Sequence, residues 1–241
     1  MIIYGINPVL EALRAGRVTQ LRVGDRSGER LRELLALASA RHVKVIRVTP
    51  DVLSREARGG VHQGVVAEVE ELADHTVEDL VRGARGVPLI VVLDGIEDPH
   101  NLGAILRTAD AAGVDGVVVQ SRHSAALGGA AAKASAGAVS HVRIAEVVNI
   151  ARAIDALKEA GVWTVGLAGE GAEPYDAIDY TVPTAIVLGA ERAGLRRLVR
   201  EKCDFLAAIP MRGHVQSLNV SVAAGVALFE AVRQRVRKGA T

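Results

Sequence analysis

Five polar residues of this 241-residue chain stand where chemistry could be done: Asn101, Arg107, Glu191, Ser217 and Asn219. None belongs to a familiar catalytic pair, and each lies just beyond an apolar run that reads as a strand. Asn101 and Arg107 fall in Asp94–Ala109 (DGIEDPHNLGAILRTA), Glu191 in Leu188–Gly194 (LGAERAG), and Ser217 and Asn219 in Ile209–Ser221 (IPMRGHVQSLNVS). Chain that leaves a strand and enters a helix presents free backbone N–H groups together with short polar side chains. Such a place suits a ligand. It equally suits a plain capped helix, with Asn101 and Asn219 as the caps, and the segments taken singly leave both readings open.

Each segment carries further detail. On a helical wheel Leu102, Ile105, Leu106, Ala109 and Gly113 share one face, the core side, and Arg107 falls opposite, near Gly103 one turn earlier. A glycine beneath an arginine would leave room for a sugar or phosphate to reach the backbone. The plainer reading pairs Arg107 with Asp110, an exposed ion pair worth a few tenths of a kcal/mol, roughly. Gly189, directly after an apolar strand, permits close backbone approach, and Glu191 then offers an acceptor at the strand's end. No G-x-G-x-x-G and no G-x-x-x-x-G-K-[ST] occurs at a strand end, which disfavours a dinucleotide fold and a P-loop.

The elements that must hold these segments divide into two textures. Residues 1–73 read as a small α/β unit with helices at Pro8–Ala15, capped by Asn7, at Arg30–Arg41 and at Asp51–Arg55. Its strands are expected at Leu21–Val23, Val43–Val48 and Val65–Val69. Residues 74–86 are polar and end in glycines, the usual mark of a linker, with a short helix at Val77–Val81. From residue 87 the pattern changes: Pro88–Leu93 (PLIVVL) is a continuous apolar run, as in a strand buried on both faces of a parallel sheet. Strands at Gly116–Val119, Val142–Ile144, Val162–Leu167, Ala185–Leu188 and Leu206–Ile209 then alternate with helices at Leu102–Gly113, Ala125–Ala136, Ile150–Ala160, Leu195–Glu201 and Val220–Lys238. That alternation predicts an α/β fold with an open, mostly parallel sheet. In such sheets ligands sit beyond the carboxyl ends of the strands, where all three polar segments fall.

Composition narrows the classes. Hydrophobic residues at 49% and charged residues at 24% describe an ordinary globular protein. One cysteine, Cys203, excludes an internal disulfide and a thiolate zinc cage, and reads as a small buried hydrophobe. The seven histidines make no i,i+4 pair and no H-E-x-x-H, so no metal is expected. No apolar run approaches the roughly 20 residues of a membrane span, and the first residues lack a signal-peptide pattern, so a cytoplasmic protein is expected. A net charge of +1 gives no global basic field, and 2% aromatic residues argue against stacking several bases on aromatic platforms.

In order and content the three segments resemble the motifs of the SpoU/TrmH family of RNA ribose 2′-O-methyltransferases. The first motif is met by Asp98, Pro99, Asn101, Gly103, Ile105, Arg107, Thr108 and Ala109, and the second by Gly189, Glu191 and Gly194. The third is met by Ile209, Pro210, Met211, Ser217, Leu218, Asn219, Ser221 and Ala223. Tyr4–Val9 and Gln63–Ala67 resemble parts of the small L30e-like domain that many members carry. The two-domain layout and Phe229–Arg235 are most similar to the branch that methylates a guanosine of bacterial large-subunit (23S) rRNA. Arg192 departs from the glycine frequent in relatives and adds a charge at the pocket rim.

The resemblance implies a C-terminal domain, 87–241, with a deep trefoil knot, an exception to the rule against threaded chains. It implies S-adenosylmethionine as methyl donor, held through Gly189, Ile209, Met211 and Leu218, and Arg107 as the catalytic residue assisted by Asn101, Glu191, Ser217 and Asn219. It also implies RNA as partner and a homodimer through the knotted domain. The apolar arc Val220, Ala223, Ala224, Val226, Ala227 and Phe229 suits such a dimer, and suits equally a helix buried in its own domain. Gly128–Gly137, with Lys133 and Ser135, is expected on the RNA face, and Arg212 and His214 are either RNA contacts or solvated loop residues. A tRNA ribose methyltransferase, an rRNA adenosine methyltransferase of the antibiotic-resistance type and a non-catalytic knotted RNA-binding protein share these features. A metabolic nucleotide-binding enzyme is disfavoured by the missing phosphate-loop glycines.

Overall fold

The computed structural model describes residues 1–25, 28–70, 74–121, 129–169, 173–191 and 193–239. The first elements are β1 (Ile2–Tyr4), α1 (Ile6–Arg14), β2 (Val18–Val23), α2 (Glu29–Ala40), β3 (Lys44–Arg47), α3 (Pro50–Glu56) and β4 (Val65–Val69). They form a four-stranded sheet in the order β1-β4-β2-β3, with β4 antiparallel to both neighbours and β2 parallel to β3. Strand β1 is too short and too close to the terminus to show in the sequence pattern. Helix α1 starts earlier than expected, at Ile6, and Asn7 does not cap it. The Gln63 side chain accepts the Ile6 N–H at 2.9 Å instead, a long-range cap that no local spacing reveals.

The rest of the chain forms α4 (Val77–Arg82), β5 (Leu89–Asp94), α5 (Pro99–Ala111), β6 (Gly116–Gln120), α6 (Gly129–Ala134), β7 (Ile144–Val147), α7 (Ile150–Glu159), β8 (Trp163–Leu167) and β9 (Glu173–Pro174). These are followed by β10 (Thr184–Gly189), α8 (Arg197–Lys202), β11 (Phe205–Ala208) and α9 (Val220–Lys238). Seven strands make one sheet in the order β7-β6-β5-β10-β8-β11-β9, and every pairing in it is parallel. Strands β5, β6 and β10 are buried along their whole length, as the continuous apolar runs require.

The polar segment between the two sheets is more than a connection. Helix α4 carries a capping box between Thr76 and Asp79, and its Val77 and Leu80 are buried with Ile90, Val118 and Ile154 against one face of the parallel sheet. Two of its three apolar residues make this contact, so the short helix expected at Val77–Val81 belongs to the packing of the parallel sheet rather than to a free connection. The other face is covered by α5, α6 and α9 in a core that runs without a break into the N-terminal unit, from Val91 of β5 to Val9 and Leu13 of α1.

Helix α6 and the turn after it therefore lie at the seam between the units, where the buried Ser135 is not available to an RNA face. Ser135 is buried, Lys133 donates to the Val61 carbonyl at 3.1 Å, and Arg17 reaches the Ser140 hydroxyl at 3.4 Å. The small residues seen in the sequence serve this close packing. Residues 125–128 of the helix expected over Ala125–Ala136 lie outside the described residues, as does Arg192.

Arg235 on α9 locks the start of the parallel sheet. Its nearly buried guanidinium donates to the carbonyls of Tyr180, Pro88 and Val182 at 2.9, 2.9 and 3.2 Å, and also to that of Val87. Removing it strands four acceptors together. Arg235→Ala is expected to lower unfolding free energy by about 3 kcal/mol or more, read as a reduced urea midpoint with unchanged slope.

Candidate active site

Three loops converge at the carboxyl ends of the strands flanking the point where the sheet order reverses. From β5 the chain runs outward through β6 and β7; on the other side lie β10, β8 and β11. Gly189 and Asp94 end the paired strands β10 and β5 in register. Such a switch point leaves a crevice, because the loops from the two strands depart in opposite directions.

Two cavities occupy the crevice. One, of about 450 Å³, is walled by Leu167–Gly169 after β8, Gly189–Glu191 and Ala193–Leu195 after β10, and Ile209, Met211 and Gln216–Leu218 after β11. The other, of about 440 Å³, lies between Gly95–Asp98 after β5 and Ala190, Glu191 and Ala193. Ala190, Glu191 and Ala193 belong to both walls. The first cavity thus gathers Gly189, Ile209, Met211 and Leu218 with Glu191 and Ser217, six residues that the sequence scatters over thirty positions. Glu191 and Ser217 are exposed and have no hydrogen-bond or ion-pair partner among the described residues.

Close packing dictates Gly189. A Cβ there would lie 2.2 Å from the Gly194 carbonyl carbon and 2.3 Å from the Leu195 nitrogen, so the turn could not fold back on the strand. The turn is closed by the Ala190–Gly194 backbone pair at 2.8 and 3.1 Å. Asp94 fastens it from below: its carboxylate, fully buried, accepts from the Arg196 backbone N–H at 2.8 Å and from Arg196 Nε at 2.6 Å. Arg196 Nη2 then reaches Gln120 Oε1 at 2.9 Å, extending the clamp to β6. Sequence reading missed Asp94 and Arg196. The signal was a charged residue closing a fully apolar strand.

Asn101 and Asn219 play a different part from the cavity residues. Asp98, not Asn101, caps α5: its Oδ1 accepts the His100 N–H at 2.9 Å, and Pro99 begins the helix. Asn101 sits one turn inside, buried, donating to Asp98 Oδ2 at 3.2 Å and accepting from Asn219 Nδ2 at 3.0 Å. Asn219 in turn caps α9 by accepting the Ser221 N–H at 2.8 Å and its hydroxyl at 2.6 Å. One chain of hydrogen bonds therefore ties the first motif to the third. Each asparagine side chain supplies both a donor and an acceptor, so it can bond two partners at once while its backbone stays in the helix or cap. The His100 N–H, followed by the Asn101 side chain, holds the Asp98 carboxyl below the usual carboxylate range. Stability from this contact is present above the ordinary value and is lost as pH falls through the depressed one.

Arg107 lines neither cavity. It is exposed on α5 with no hydrogen bond or ion pair among the described residues, so the expected pair with Asp110 does not form. Gly103 does not open space beneath it: a Cβ there would meet Ala134 Cβ at 2.3 Å and the Ala131 carbonyl at 2.8 Å, so the glycine lets α6 pack on α5. Arg212 and His214 are exposed in the loop before α9. Cys203 is half-buried, donates to the Val199 carbonyl at 3.3 Å, and has its pKa pushed up to about 12, chiefly by desolvation, so it remains a thiol. Among the described residues no group of three or more His, Cys, Asp or Glu could hold a metal ion, and no helix is long and apolar enough to cross a membrane.

A parallel sheet with its cavities at the switch point, walled by these three motifs, defines the class of methyltransferase suggested by the motif spacing. The chain belongs to the SpoU rRNA methylase family, whose model matches residues 88–229, while residues 2–74 match the RNA 2′-O ribose methyltransferase substrate-binding domain. It is 46% identical over 239 residues to 23S rRNA (guanosine-2′-O-)-methyltransferase RlmB of Pseudomonas aeruginosa, covering 97% of this chain and 96% of that one. The same enzyme of Yersinia pestis is also 46% identical, over 97% of each chain. Among solved structures, the SpoU methyltransferase AviRb from Streptomyces viridochromogenes, in complex with AdoMet, superposes with TM-score 0.82 at 32% identity. That match covers 98% of this chain and 91% of that one. An AdoMet-bound rRNA methyltransferase from Sinorhizobium meliloti gives 0.80 at 31% identity, with 96% and 86% covered.

The amide chain yields a measurable expectation. Asn219→Ala removes a cap, worth about 1 kcal/mol, and also strands the buried Asn101 acceptor, worth about 1–3 kcal/mol more. Asn219→Asp keeps the cap but cannot donate to Asn101. Thermal or urea unfolding should therefore rank wild type above Asp, and Asp above Ala.

Proposed function

We propose that this chain transfers a methyl group from S-adenosylmethionine to the 2′-hydroxyl of a guanosine in 23S rRNA. The observation that carries the reading is the near-full-length 46% identity to enzymes named for that reaction, in a chain whose second and third motif loops wall one cavity and whose first motif borders the adjoining one. The cavity fits the cofactor. Its volume of about 450 Å³ lies within the roughly 300–1,000 Å³ of small-molecule sites, and its wall is mostly apolar side chains and glycine backbone, with Glu191, Arg200, Gln216 and Ser217 as its polar lining. Gly189, Ile209 and Leu218 would offer backbone to the adenosine, and Met211 an apolar surface.

When bound, the cofactor supplies a methyl group already activated on a sulfonium. The protein's work is to bring one hydroxyl to it and to favour transfer of that hydroxyl's proton to solvent water as the methyl is received. Glu191, on the wall shared by both cavities, accepts hydrogen bonds from the ribose. Ser217 lines the cofactor cavity beside it, and the Asp98–Asn101–Asn219 chain holds the loops in register. Arg107 stabilises the developing alkoxide or grips the adjacent phosphate. A guanidinium keeps its proton in proteins, so electrostatic support suits it and proton abstraction does not.

The crowding of three loops around one cavity supports a trefoil knot in residues 87–241, with residues 1–73 as the L30e-like RNA-binding unit. A homodimer is supported by α9, where Val222, Phe229 and Val236 are 51%, 50% and 60% exposed along one stripe of a helix otherwise docked on its own domain. Exposed apolar residues in a row mark a contact surface.

Unmodified 23S rRNA incubated with the protein and labelled S-adenosylmethionine should gain one 2′-O-methylguanosine; a mark on tRNA instead would overturn the choice of substrate. Arg107→Ala should lose about 100-fold or more in kcat while calorimetric affinity for S-adenosylmethionine is unchanged. Near wild-type turnover would remove Arg107 from the mechanism. Phe229→Glu should shift sedimentation from dimer to monomer.

A further inference from the structure

A second concave surface lies far along the chain from the motif loops. A cavity of about 1030 Å³, more than twice the size of either motif cavity, opens where β1, the end of α3 and the turn after it face Ala130 of α6. Its lining includes three arginines, Arg22, Arg55 and Arg58, and two glutamates, Glu56 and Glu68. Arg22 is held by the protein itself, with Nε 3.2 Å from Glu56 and Nη2 3.6 Å from Glu68. The charge of those carboxylates is therefore opposed within the wall. The side chains of Arg55 and Arg58 are exposed and have no hydrogen bond or ion pair among the described residues.

The neighbouring wall is aromatic. Tyr4 lies so close to Gly60 that a Cβ on the glycine would sit 2.5 Å from the ring, which places the phenol against the backbone of the turn. Its hydroxyl has no partner among the described residues. Two free guanidinium forks beside a fixed phenol, in a trough at the upper end of small-molecule site volumes, match a charged polymer better than a metabolite. Forked donors grip phosphate oxygens, and a phenol offers both a face to a base and a hydroxyl to a sugar.

We infer that the RNA backbone crosses the N-terminal unit in this trough, with Arg55 and Arg58 holding phosphates and Tyr4 contacting a sugar or base away from the methylated nucleotide. The inference rests on the RNA substrate proposed above and adds where the N-terminal unit holds it. The contact is sequence-independent, so it contributes to affinity and positioning rather than to the choice of guanosine.

The test compares the wild-type protein with Arg55→Glu/Arg58→Glu and Arg55→Lys/Arg58→Lys, all checked for equal thermal stability, using unmodified 23S rRNA transcript as the probe. The double glutamate variant should raise Kd for the transcript, and KM where turnover is measured, by about tenfold or more. Its plot of log Kd against log salt should flatten by roughly 0.7–0.9 for each phosphate that is no longer neutralised. Affinity for S-adenosylmethionine and kcat at saturating RNA should stay at wild-type values, and the double lysine variant should recover most of the binding. Wild-type RNA affinity and salt slope in the glutamate variant would overturn the inference. If the wild-type protein binds the transcript but methylates no RNA, the proposed reaction fails, and the binding comparison still decides the trough.

Discussion

Asp94 is the residue on which the architecture of the site turns. A carboxylate at the end of a strand with no exposed surface has surrendered its hydration, and the loss is tolerable only if donors replace the water. Arg196 supplies them from its backbone and its side chain together, 102 residues away in sequence. The pairing therefore fixes the loop after β10 upon the end of β5. Because Gly189 and Asp94 are in register, this is also the point where the sheet order reverses and the crevice opens. Weakening the clamp would free the turn that carries Glu191 while leaving the strands paired.

Two devices of different chemistry hold the remaining loops. The first and third motifs are joined through asparagine amides, whose donor and acceptor ends let one residue serve a helix cap and a distant partner at once. The second motif is joined through a charge pair and a glycine that allows the backbone to fold over itself. Together they leave Glu191 and Ser217 without internal partners. Those side chains remain available to a ligand because neighbouring polar groups, not they, satisfy the structural hydrogen bonds.

Much of this was legible along the chain. The continuous apolar runs ending at Leu93 and Leu188 gave buried parallel strands, and helix α9 was bounded correctly at Val220–Lys238 because its asparagine cap and apolar periodicity are local. The four residues Gly189, Ile209, Met211 and Leu218, expected from the family resemblance, meet in one cavity wall. What failed were inferences about neighbours. Gly103 looked like space for a ligand, and α6 fills that space. Residues 133 and 135 looked like a polar face, and they close the seam between two units. Asn7 looked like a cap, and Gln63 supplies the cap from across the sheet.

By itself the sequence determined which segments become strands and which polar residues follow them, since these depend on periodicity and local capping, and its motif residues carried the resemblance to the family. Only the tertiary structure decided that Gly103 serves packing, that a buried Asp94 and Arg196 clamp the turn after β10, and that Asn101 bonds to Asn219. Each of those rests on a contact between residues tens to more than a hundred positions apart, made where burial forces a charge or an amide to find a partner. No pattern within a single segment encodes such a partner.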